Sequence, residues 1–144
     1  MMENSCLKYV INDQGLNTSF VDLASGLDYC QSDPPMPAAR VRIGDKWHNA
    51  SAASAQGGQV NFGFADTDAT IRLNTTVHER YLVLTVTAAS EAIEELQFAN
   101  LQLSLKGELE EPFAACALAL NLLTNVPQLP GLNSLLQAYS VRRF

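Results

Sequence analysis

At 144 residues the chain has the length of one domain, enough to withdraw roughly two-thirds of the unfolded surface from water. With 47% hydrophobic and 17% charged residues it is too apolar for a disordered segment, and a single soluble domain over residues 1–144 is expected. Fifteen acidic against nine basic residues, a net charge of −6, repel a phosphate backbone and speak against nucleic acid as a partner. The longest apolar runs, such as Phe113–Leu120, fall far short of the roughly 20 residues that a membrane-crossing helix needs, so no membrane partner is expected.

Met1 to Ile11 carries Glu3 and Lys8 where a secretion signal needs a basic start and an apolar centre, and no targeting segment is read there. Leu7–Ile11 is instead a short strand candidate, followed by the turn-forming Asn12-Asp13-Gln14-Gly15 and a second candidate, Ser19–Asp22. After the Ser25-Gly26 turn and a proline-rich loop, Arg40–Ile43 reads as a strand, and Gly44-Asp45 and the residues after it read as a turn. Val60, Phe62 and Phe64 alternate with Asn61 and Gly63; Ile71, Leu73, Thr75 and Val77 alternate with polar partners. That period of two is the signature of half-buried strands. Tyr81–Thr87 is β-branched and apolar on both faces, which predicts a strand in the middle of a sheet.

Leu96–Ala99 is a further short candidate, and Leu101, Leu103 and Leu105 alternate cleanly with Gln102, Ser104 and Lys106. Phe113–Leu120 suits either helix, through its alanines, or a buried strand, through its short apolar run; strand is preferred. Asn125–Gly131, with two prolines and a glycine, reads as a loop, and Leu132, Leu135, Leu136 and Tyr139 recur at helical spacing. Turns this frequent favour hairpins over parallel crossovers, which need a dozen or more connecting residues. The expected fold is all-β: a mostly antiparallel two-sheet β-sandwich closed by a short C-terminal helix.

Chemistry is sparse along this pattern. The three cysteines Cys6, Cys30 and Cys116 are odd in number and widely spaced, which suits buried free thiols better than a disulfide framework or metal knuckle. His48 and His78 have no second ligand at metal-binding spacing, so neither a metal nor a cofactor is expected. Glu91, Glu94 and Glu95, and again Glu108, Glu110 and Glu111, supply the residue type of a glycosidase acid pair, but their place beside strand ends suits a solvated rim. No GxSxG elbow or glycine-rich phosphate loop occurs, and no catalytic residue is assigned. Asn17, Asn49 and Asn74 each open an N-x-S/T triplet, a pattern that matters only in a secreted eukaryotic setting.

Sugar recognition needs an aromatic face beside hydrogen-bonding groups. The stretch with those ingredients is Arg42, Asp45, Lys46, Trp47 and His48, with Asp28 and Tyr29 after another turn. Candidate carbohydrate contacts are therefore Trp47, His48, Asp45, Arg42 and Tyr29, set against the plainer role of a single tryptophan as a packing residue.

The opening, Lys8-Tyr9-Val10-Ile11 through Phe20-Val21-Asp22-Leu23-Ala24-Ser25-Gly26-Leu27-Asp28-Tyr29, resembles the start of the galactose-mutarotase-like supersandwich domains that precede the catalytic barrel in several glycoside hydrolases. Asp33-Pro34-Pro35-Met36-Pro37 and Ala39–Ile43 stand where those domains have a proline-containing loop and the next strand, and the likeness continues more weakly through Glu94–Phe98 and Leu101–Leu105. The resemblance implies a non-catalytic N-terminal accessory module that packs on the catalytic domain of the same, longer polypeptide and helps to shape its sugar cleft. His48 and His78 match none of the paired-histidine motif of true mutarotases. Two other roles remain open: a free-standing lectin-like module with Trp47 as its stacking platform, and an assembly module that docks through the apolar stretch Leu129–Tyr139.

Overall fold

The computed structural model describes residues 1–30, 33–126 and 135–141. Its strands are β1 (Met2–Glu3), β2 (Leu7–Ile11), β3 (Asn17–Asp22), β4 (Ala39–Ile43), β5 (Lys46–Gln56), β6 (Gln59–Phe64), β7 (Thr70–Val77), β8 (Leu82–Ala89), β9 (Glu95–Gln102) and β10 (Leu135–Val141). They form a three-stranded sheet in the order β1-β2-β3 and a seven-stranded sheet in the order β10-β9-β4-β5-β6-β7-β8. Every pairing is antiparallel. The expected all-β, antiparallel character holds.

Alternation explains which faces turn inward. Val41, Phe62, Ile71, Leu73, Leu96 and Phe98 come from four different strands of the larger sheet yet share one buried cluster, so that sheet curls around its own apolar side. Burying each such side chain contributes about 1.5–3 kcal/mol. A second cluster joins Tyr9 and Phe20 of the small sheet to Tyr29, Leu101 and Leu103, and Ile11 and Leu84 pack against both clusters. The β2–β3 hairpin enters this arrangement through the turn at Asn12, whose side chain accepts hydrogen bonds from Gln14 N and Leu16 N. Gly15 lies there at φ 75°, and a Cβ at that position would meet the Ala50 Cβ at 2.8 Å. The turn therefore needs glycine both for its conformation and for the approach of β5.

One irregularity reorganises the reading of β9. Leu96 and Phe98 belong to the first cluster, whereas Leu101 and Leu103 belong to the second. Between them Ala99 adopts φ 49°, a left-handed conformation that costs a non-glycine residue roughly 1–2 kcal/mol. Leu101 pairs with Leu136 and Phe98 with Ala138, so Ala99 and Asn100 together stand opposite Gln137. This is a β-bulge, and the extra residue exchanges which parity of side chain faces inward. The two segments read separately from sequence are one strand to Gln102, with Leu103 continuing as an isolated bridge to Cys30. Leu101, Leu103 and Leu105 all turn to the second cluster, as the alternation predicted.

Four expectations need correction. The predicted C-terminal helix is a strand: β10 pairs with β9 along its length, with Ala138 buried, and no helix occurs among the described residues. Leu132 and the rest of 127–134 lie outside the described residues, as does most of the 129–139 docking stretch. The helical spacing of Leu135, Leu136 and Tyr139 was outweighed by the unpaired edge that β9 offers. Phe113–Leu120 joins no strand; Phe113 and Ala115 pack on the second cluster while Leu118 and Leu120 stay exposed. The Tyr81–Thr87 strand exists as β8, but at the edge of its sheet and only half-buried, because the curl of the sheet and not a central position covers Leu84 and Val86. Finally, Lys46–His48 is no turn but the start of the long β5, whose small Ala and Ser residues give little hydrophobic alternation.

Candidate functional site

The alternation that sends Ala39 and Val41 into the core leaves Arg40 and Arg42 on the opposite face of the seven-stranded sheet. Register then sets their neighbours. Across β4–β5, Arg40 pairs with Asn49 and Arg42 with Trp47; across β4–β9, Arg40 pairs with Gln97 and Arg42 with Glu95; on β10, Tyr139 pairs with Gln97. These residues form a polar row interrupted by one indole and one phenol, on the side of the sheet away from the first cluster.

Hydrogen bonds fix much of this row. Arg42 is held by Glu94 through Nη1, by Glu95 Oε2 at 3.4 Å from Nε, and by the Gly44 carbonyl at 2.9 Å. Arg40 donates through Nε to Gln97 Oε1, and its guanidinium carbon lies 4.6 Å from the centre of the Trp47 ring. Such a cation over an indole face is attracted by the ring quadrupole. Gln97 is itself clamped: its Oε1 also accepts from Gln137 Nε2 at 3.1 Å, and its Nε2 donates to Glu95 Oε1 at 3.2 Å.

Of the five residues that the sequence singles out, only Arg42 and Trp47 meet on this face. Asp45 lies at the exposed β4–β5 turn. His48 points to the other side of β5, buried beside Val41, with Nδ1 2.8 Å from the Ala65 carbonyl oxygen. Tyr29 is buried in the second cluster, stacked on Phe113 at 5.0 Å. The sequence reading missed Arg40, Asn49, Gln97, Gln137 and Tyr139. The alternation of Ala39-Arg40-Val41-Arg42-Ile43 was the available signal for Arg40, since it puts both arginines on one side of the strand.

Carboxylates elsewhere are engaged in local structure. Glu111 accepts from Lys106 N and Gly107 N, and Glu94 and Glu95 serve Arg42. Asp22 accepts from Ser25 Oγ at 2.6 Å and from Ser25 N and Ala24 N, bonds that hold its carboxyl below the usual value. For Asp28, burial pushes the carboxyl up, but bonds from Phe20 N, Ser19 Oγ and Cys30 N outweigh it and leave the group below its usual value. Both aspartates brace the hairpin end of β3. Among the described residues no three His, Cys, Asp or Glu side chains converge in the manner of a metal site, and no helix is long and apolar enough to cross a membrane.

No protein-family model matches the chain, and no curated protein and no solved structure matches it.

Proposed function

We propose that this chain is a non-catalytic β-sandwich module of a carbohydrate-active protein, supersandwich-like in its two sheets, and that the outward face of β4, β5 and β9 contacts sugar. The observation that carries this reading is the placement of Trp47 beside Arg40 and Arg42 on one sheet face, with Asn49 and Gln97 next to them. An indole edge and fixed amide and guanidinium groups are the partners a pyranose takes, apolar on its ring faces and hydroxylated at its rim. The two core clusters bridged by Ile11 and Leu84 support the sandwich description. In this role the module packs on a catalytic domain of the same polypeptide, and the polar row extends the substrate path.

Trp47 is the single tryptophan, so its fluorescence reports directly on the face. Titration with a panel of soluble oligosaccharides is expected to give a saturable change, with calorimetric binding lost in Trp47→Ala. A panel without any saturable response, by fluorescence or calorimetry, would sink the reading.

A second role, as an assembly module, is favoured by a different observation. Leu118 and Leu120 are 72% and 73% exposed, with Leu122 and Leu123 likewise open, in a stretch that carries no charge. Contiguous exposed apolar surface of this kind marks interaction sites. Sedimentation velocity over a range of concentrations should show association that Leu118→Ser/Leu120→Ser abolishes; a monodisperse monomer at every concentration removes this second role.

A further inference from the structure

Arg40 and Arg42 are two residues apart on one strand and share a face, yet the fold treats them differently. Arg42 is neutralised by two carboxylates and closed off further by the Gly44 carbonyl. Arg40 has only neutral partners among the described residues: Gln97 Oε1 at its Nε and the Trp47 ring beside its plane. A guanidinium carries five N–H donors, and the four on the two Nη atoms of Arg40 meet no described acceptor. The group is nonetheless held in place. Gln97 is buried and is itself fixed by Gln137 and Glu95, so the Nε edge of the half-buried Arg40 is anchored to a rigid point while its Nη edge is left without a described acceptor.

We propose that Arg40, set on Trp47 and Gln97, is the anion-reading element of the sugar-contacting face, and that its ligand is a carboxylate-bearing sugar, a uronate. The inference rests on the carbohydrate reading above and adds a ligand class to it. The two Nη groups form a planar fork that matches the two oxygens of a carboxylate, a geometry that a lysine does not reproduce. Asn49 stands opposite Arg40 on β5, and Tyr139 stands beyond Gln97 on β10, so hydrogen-bonding and aromatic groups flank the place where the rest of the ring would lie. The net charge of −6 gives no general attraction for polyanions, so recognition of a uronate has to be local to this cation.

The test compares three oligosaccharides of equal length on the full chain by calorimetry and Trp47 fluorescence: a galacturonate oligomer, the neutral galactose oligomer and a sulfated galactose oligomer. The uronate is expected to bind roughly tenfold or more tighter than the neutral oligomer, the scale of one charge-assisted hydrogen-bonded pair. Arg40→Gln should abolish that preference and Arg40→Lys should fail to restore it, with melting midpoints recorded to establish folding. Equal affinity for the uronate and neutral oligomers overturns the uronate assignment but leaves the carbohydrate reading standing, whereas silence toward all three overturns both. Preference for the sulfated oligomer over the uronate, or an Arg40→Gln protein that keeps the uronate preference, also overturns the assignment. The comparison among ligands stands even if a variant fails to fold.

Discussion

The side-chain amide of Asn17, in the small sheet, donates to the backbone carbonyl of Asn100, in the bulge of β9, at 2.7 Å, and both side chains are closed off from water. Around that bond lies a chain of buried polar contacts. Asn17 Nδ2 also reaches the Met36 carbonyl, Tyr9 donates its hydroxyl to Asn17 Oδ1, and Asn100 takes Gln137 on one side while giving its own amide to the Pro37 carbonyl. Burial, with Cys30 second, pushes the Tyr9 phenol well above its ordinary value of 10.0, which favours the protonated, donating form. The network ties the hairpin of β2 and β3 to the bulge that redirects β9.

Asn17→Ala should therefore be costly beyond its size. It strands the Tyr9 hydroxyl and the Asn100 carbonyl in a site that water does not reach, while the Met36 carbonyl keeps its bond from the residue-17 backbone N–H, and a loss of about 2–4 kcal/mol is expected from the unsatisfied groups. Tyr9→Phe removes only one donor and should cost about 1 kcal/mol. Urea denaturation of the two variants beside the parent checks the ranking; equal midpoints for all three would show that the network adds nothing to stability.

The last described segment offers a second contrast. A helix with Leu132, Leu135 and Leu136 on its apolar stripe would bury Leu135 and expose Ala138; β10 does the reverse, with Leu135 40% and Ala138 8% exposed. Ala138→Asp places a charge against the first cluster and should destabilise by about 3 kcal/mol or more, whereas Leu135→Asp should shift stability by roughly 0.5 kcal/mol or less. Thermal melts of both proteins decide it, and a reversed order would restore the helical reading.

What was legible in the sequence was the period of two where it is strong. Ile71 and Leu73, Phe62 and Phe64, and Val41 between two arginines each lie on the side that the alternation assigns them. The misses share a physical cause. From Ala50 to Ala55 β5 is built of Ala and Ser, which carry too little apolar surface to write an alternation, so no strand is legible there, and Lys46–His48 at its start follow Gly44-Asp45 closely enough to read as part of the turn. The bulge at Ala99 shifts parity inside one strand, which is why β9 looked like two. β10 takes its conformation from pairing with β9, a long-range cause that a local window of spacing does not contain. The site suffered from the same limit: Arg42 and Trp47 are close in sequence, but Gln97 and Tyr139 reach Arg40's neighbourhood only through register across three strands.

The three thiols should differ sharply in reactivity. Cys116 is exposed, whereas burial, with the Asp28 carboxylate second, pushes the Cys30 thiol up to about 11. At about pH 8 the Cys30 thiolate fraction is then on the order of one in a thousand. Brief treatment with iodoacetamide followed by peptide mapping should find Cys116 modified long before Cys30, and Asp28→Asn should narrow the gap by removing one of the two causes. Equal labelling of Cys30 and Cys116 in the native protein would contradict the burial described here.

Acid should loosen the hairpin end of β3 before it disturbs the core. Asp22 and Asp28 both have carboxyls lowered from an ordinary value of 3.8, Asp22 chiefly through Ser25, and Asp28 through backbone and Ser19 bonds that outweigh its burial. A carboxyl lower in the folded than in the unfolded chain binds its proton more readily after unfolding. Its contribution is therefore complete above the unfolded value and disappears as pH falls through the folded one. The urea midpoint is expected to be level above about pH 5 and to drop below about pH 4. In Asp22→Asn the drop should be shallower, because the asparagine still accepts one hydrogen bond but no longer titrates. The same double arrangement holds the Ser25-Gly26 turn: Asp22 binds Ser25 and Ala24 from within, while Asp28 binds Phe20 and Cys30 from the far side. An acid limb unchanged in both Asp22→Asn and Asp28→Asn would mean that other carboxylates govern it and that these bonds add little to the folded state.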